Sequence, residues 1–90
     1  MSRPATGVRY VVELAEQTEN RARYQGFAHF PDKDLPLSVE VDLPAGATRA
    51  SLSGGPPELE RAAAALVRSA TRAAVAASSA LPRKIVRWRG

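Results

Sequence analysis

The sequence predicts an α+β fold, a four-stranded antiparallel β-meander followed by one long C-terminal helix, and three observations carry that prediction. Apolar and polar residues alternate in four segments between Val8 and Ser53, the run Gly54-Gly55-Pro56-Pro57 breaks the pattern, and beyond it apolar residues recur at steps of three and four. Alternation at a period of two marks a half-buried strand, and recurrence near 3.6 marks an amphipathic helix.

The first strand runs from Val8 to Ala15, with Val8, Tyr10, Val12 and Leu14 on one face and Arg9, Val11 and Glu13 on the other. Glu16 to Asn20 is polar and reads as a turn, after which Arg21 to Phe30 alternates again and completes a hairpin. Pro31 to Pro36 reads as a loop, because both prolines lack an N–H and aspartate favours turn geometry. Leu37 to Leu43 gives the clearest alternation, with Leu37, Val39, Val41 and Leu43 inward. Pro44-Ala45-Gly46 turns the chain into a weaker strand, Ala47 to Ser53, whose inward residues are Ala50 and Leu52.

A helix follows, with Pro57 at its first position and Glu58 and Glu60 in its first turn, matching both the fixed proline φ and the positive end of the helix dipole. Its expected inner stripe is Leu59, Ala62, Ala63, Leu66, Ala70, Ala73, Ala74 and Ala77, and Pro82 ends the segment by disfavouring a helical Leu81. The last residues, Arg83 to Gly90, form either a fifth strand or a mobile tail. The whole reads as a single domain, residues 1–90: a flexible N-terminus over 1–7, the meander over 8–53, the helix over 57–80, and a basic tail or edge strand over 83–90. The inferred order β-β-β-β-α resembles that of single-stranded nucleic-acid binders of the transcription-coactivator type, in topology and without a shared motif.

Composition narrows the chemistry. The 90 residues include no cysteine, which removes disulfides, thiolate metal sites and cysteine nucleophiles together. His29 is the sole histidine, and none of the serines stands in a Gly-x-Ser-x-Gly elbow. Asp32-Lys33-Asp34 lacks the glycine and distal glutamate of a calcium loop and reads as a turn, and Gly54-Gly55 precedes prolines that cannot donate amides to a phosphate. The expectation is a protein that is not an enzyme, with no catalytic residues, no metal site and no cofactor. No apolar stretch approaches the roughly 20 residues of a membrane span, and Met1 leads directly into a charged segment, so the expected location is the cytoplasm.

Charge is distributed unevenly. Residues 1–55 carry six basic and seven acidic side chains, whereas residues 56–90 carry seven basic and two acidic ones, so the C-terminal third is strongly positive and the rest nearly neutral. Arg61, Arg68, Arg72, Arg83, Lys84, Arg87, Trp88 and Arg89 therefore form the candidate nucleic-acid-binding set, since guanidinium groups beside an indole suit phosphates and unstacked bases. If the last segment is a strand, Trp88 is expected to close the core and the arginines to keep a sheet edge soluble. One helix covers only one sheet face, so the other offers Val11, Phe27 and His29 as a protein-interaction surface. The expected partners are thus nucleic acid, or another protein, or a second copy in a homodimer.

Overall fold

The computed structural model describes residues 7–43 and 45–89. The expectation of a flexible N-terminus falls, for residues 1–6, outside the described residues. Strands β1 (Val8–Gln17), β2 (Arg21–His29), β3 (Asp34–Asp42) and β4 (Thr48–Leu52) precede a single helix, α1 (Pro57–Ala76), and a last strand, β5 (Lys84–Arg89). The predicted meander and helix are present, and the basic C-terminal segment is a strand rather than a tail. All five strands form one antiparallel sheet in the order β4-β3-β2-β1-β5, so the last strand closes against the first.

The core lies between α1 and one face of the sheet. Tyr10, Val12, Tyr24, Ala28, Leu37, Val39, Val41, Leu52 and Ile85 meet Ala63 and Val67 there. Each strand contributes alternate positions, which is why the period-two pattern located the inward residues of β1 to β4. Much of the expected helix stripe packs on the core, namely Leu59, Ala63, Leu66, Ala70 and Ala74, but its buried line is Ala63, Val67 and Thr71, and Ala73 and Ala77 are exposed. Thr71 is buried at little cost because its hydroxyl donates to the Val67 and Arg68 carbonyls within the helix.

Boundaries shifted for identifiable reasons. β1 extends to Gln17 through a bulge between Leu14 and Glu16 that absorbs Ala15. β3 begins at Asp34, not at Leu37, and includes Pro36; the last β3–β4 pair is Leu37–Leu52, and the Pro36 carbonyl accepts the Ser53 N–H at 3.1 Å just past it, so the proline sits at the end of that ladder. The helix ends at Ala76 instead of residue 80. Ser78 adopts φ 53°, its N–H donates to the Val75 carbonyl, and the Ser79 N–H donates to the Ala74 carbonyl. This is the Schellman arrangement, with serine in the left-handed position that glycine more often takes.

Two contacts fix the helix to the sheet at its ends. Glu60 accepts a 2.8 Å hydrogen bond from the Leu52 N–H, tying the first turn to β4. The Tyr24 hydroxyl donates to the Pro82 carbonyl at 2.7 Å, pinning the segment between α1 and β5. At the centre of β2, Gly26 leaves room for a neighbouring backbone: a Cβ there would collide with the Val11 carbonyl oxygen.

Candidate binding face

The sheet face turned away from α1 is organised in transverse rows, because residues opposite one another in antiparallel strands point the same way. At one end Glu16, Arg23, Glu40 and Arg49 cross from β1 to β4 in alternating charge. Ion pairs tie this region together: Arg23 to Glu16 at 2.9 Å, Arg21 to Glu40 at 3.0 Å and Arg49 to Asp42 at 3.5 Å. The next row is Lys84, Glu13, Gln25, Ser38 and Ser51, polar throughout. Beyond it lies an apolar row, Val86, Val11, Phe27 and Pro36, and then Trp88, Arg9, His29 and Asp34.

The last two rows hold the chemistry. Phe27 is 47 % exposed and Trp88 61 % exposed, although the alternation places both on ordered strands. The Arg9 guanidinium lies over the Trp88 ring, 5.3 Å from its centroid, and its Nε is buried with no acceptor among the described residues. The indole, not a carboxylate, therefore holds that cation. His29 stacks on Phe27 with ring centroids 6.0 Å apart, and its Nδ1 lies 2.8 Å from an Asp34 carboxylate oxygen. A shallow trough of about 800 Å³ runs across the face, lined by Val11, Glu13, Gln25, Phe27, His29 and Ser38 among others.

No protein-family model, curated protein or solved structure matches this chain. The resemblance to coactivator-type binders is thus one of element order only, and the added β5 departs from it. What the face can do follows from its own side chains.

The eight residues of the basic set are distributed over three surfaces. Lys84 and Trp88 share the open face with Val86 between them. Arg87 and Arg89 point to the other side of β5, where they stand opposite Tyr10 and Val8. Arg83 precedes the strand, its carbonyl accepting the Leu14 N–H at 2.8 Å. Arg61, Arg68 and Arg72 are exposed on the outer stripe of α1, seven and four residues apart and away from its buried line. Val11, Phe27 and His29, by contrast, are brought together as the sequence implied, Val11 directly opposite Phe27. Trp88 does not close the core: Ile85 fills that place, because the pairing of Val11 with Val86 puts even-numbered β5 residues on the open face.

Arg9 is the residue that sequence reasoning passed over. Its strand phase placed it correctly outward, but only the β1–β5 pairing brings it opposite Trp88. The electrostatics are correspondingly lopsided. Glu16, Glu40 and Asp42 are engaged by arginines and Asp34 by His29, whereas Lys84, Arg87 and Arg89 form no ion pair with a carboxylate among the described residues. Among those residues, too, no three histidine, aspartate or glutamate side chains gather as metal ligands, and no helix is long and apolar enough to cross a membrane.

Proposed function

We propose that this protein is a non-catalytic binding module that engages nucleic acid through β5 and the adjoining part of the open sheet face. The observation that carries the reading is the Arg9–Trp88 pair: the sole tryptophan is presented to solvent, stacked on one side by a cation, on a strand whose other cations lack carboxylate partners. Burying that indole would have been the more stabilising use of it, by roughly 2–3 kcal/mol. An exposed ring among unpaired cations is the combination that binds bases and phosphates.

Fluorescence anisotropy with labelled DNA and RNA tests the reading. Deleting β5 would also remove Ile85 from the core, so the informative variant is the triple substitution Lys84→Glu, Arg87→Glu and Arg89→Glu. The intact protein binds at low salt, weakens steeply toward physiological salt, and the triple variant does not bind. Absence of binding by the intact protein at low salt removes the reading.

The apolar row Val86, Val11, Phe27 and Pro36 supports a second reading, a protein-interaction or assembly surface. Under it, sedimentation shows self-association, or association with another protein, that is insensitive to salt and abolished by Phe27→Asp.

A further inference from the structure

Resting on the nucleic-acid reading, we infer that the ligand is single-stranded and splayed, with one base on Trp88 and a second, non-adjacent base on Phe27. The argument is one of spacing. Phe27 lies opposite Val11, Val11 lies opposite Val86, and Trp88 follows Val86 by two residues on β5. The two rings are therefore rooted two strand spacings apart across the sheet and one two-residue repeat along it. With about 4.8 Å between strands and about 3.3 Å per residue, their roots are separated by roughly 12 Å.

Neighbouring bases in a stacked strand are about 3.4 Å apart, so they cannot occupy both rings. A stacked strand needs between three and four such steps to cross the gap, and a parted one fewer, so the smallest ligand reaching both rings is on the order of three to five nucleotides. A duplex cannot do this, because its bases are paired and enclosed.

The surroundings match that ligand. Arg9 already occupies one face of the indole and fixes the ring, leaving the other face to a base. His29 buttresses Phe27 in the same way and is itself held by Asp34. Between the two platforms, Val11 and Val86 offer an apolar floor with no acidic group in the row. Of the β5 cations without carboxylate partners, Lys84 shares the open face with Trp88, while Arg87 and Arg89 stand on the other side of the strand, at the sheet edge that a backbone passing Trp88 would round.

The test uses the intact protein, with Trp88 as its own reporter because it is the sole tryptophan. Oligothymidylates of one to ten nucleotides are titrated and quenching of the indole is followed at low salt. Affinity rises with length up to about three to five nucleotides and then changes little per added nucleotide. Phe27→Ala lowers the affinity for the longer oligomers by about 5- to 100-fold and leaves mononucleotide quenching unchanged. Phe27 is half exposed, so its thermal midpoint serves as the folding control, and Phe27→Tyr restores the length dependence. A duplex of equal length competes poorly.

Failures of the two readings look different. If no oligomer quenches Trp88 or binds by anisotropy, the nucleic-acid reading itself falls. If binding occurs but affinity levels at one or two nucleotides, or Phe27→Ala leaves the length series unaltered, or duplex competes equally, the two-platform inference is overturned while the nucleic-acid reading stands.

Discussion

Tyr10 and Tyr24 are both buried on the helix side of the sheet, yet only Tyr24 has a partner: its hydroxyl donates to Pro82, whereas the Tyr10 hydroxyl has none among the described residues. The two phenylalanine substitutions should therefore differ in sign. Tyr24→Phe strands a carbonyl and lowers stability by about 1 kcal/mol, while Tyr10→Phe removes an unsatisfied polar atom and leaves stability unchanged or raises it by up to about 1 kcal/mol. Urea midpoints of the two variants against the parent decide this; a loss for Tyr10→Phe as large as that for Tyr24→Phe refutes it.

The same pair sets the alkaline limit. Burial raises both phenols above their usual value of 10.0, with Arg89 partly opposing the rise at Tyr10. The folded state therefore holds the phenolic protons more tightly than the unfolded chain, so stability is level below about pH 10 and falls as pH climbs through the folded values. Unfolding midpoints measured from about pH 8 to about pH 11.5 should show this decline, and Tyr24→Phe should flatten it. A decline that persists in the double phenylalanine variant would place its origin elsewhere.

On β5, inward and outward positions differ in energetic role. Ile85→Ala leaves a cavity in the core and costs about 2–4 kcal/mol. Trp88→Ala removes a larger ring but one mostly in solvent, and costs within about 1 kcal/mol, chiefly the contact with Arg9. Equal losses would contradict the observed register.

Gly26→Ala should be among the most disruptive single changes in the sheet. The difficulty is space, since the added carbon meets the Val11 carbonyl, and a backbone cannot yield as a side-chain tip does. A decrease of about 3 kcal/mol is expected by thermal unfolding, and one below about 1 kcal/mol would mean that β1 and β2 separate easily there.

Salt slopes separate the cationic surfaces. Removing the three β5 cations should reduce the dependence of log affinity on log salt by up to about 0.9 for each phosphate they would otherwise neutralise. Substituting Arg61, Arg68 and Arg72 by alanine, on the far stripe of α1, should leave the slope near that of the parent. The reverse outcome would move the nucleic-acid interface to the helix.

Most of the sheet was legible in the sequence because one buried face forces alternation, and Val8, Tyr10 and Val12 or Leu37, Val39 and Val41 state it directly. The helix start was equally legible from Pro57 and Glu60. Less visible was anything decided by partners distant in sequence. Alanine at eight of the 20 helix positions makes the stripe ambiguous, so Val67 and Thr71 joined its buried line only once packed on β4. Ser78 in a left-handed conformation carries no glycine to announce it. The binding face was half visible: Val11, Phe27 and His29 share a strand phase, but Trp88 and Arg9 belong to opposite ends of the sequence. A rule that assigns the only tryptophan to the core fails when an isoleucine on the opposite side of the pleat fills the space.

The pairing of β5 with β1 has a consequence for how the chain is made. β1 is synthesised before every other strand of the sheet, and one of its edges stays unpaired while β2, β3, β4 and all of α1 follow. Until β5 arrives, the nascent sheet exposes that edge together with the Val12 side of an unfinished core, a surface on which other chains can template. Closing it brings together the strands most distant in sequence among the described pairings, so this step is expected to come late.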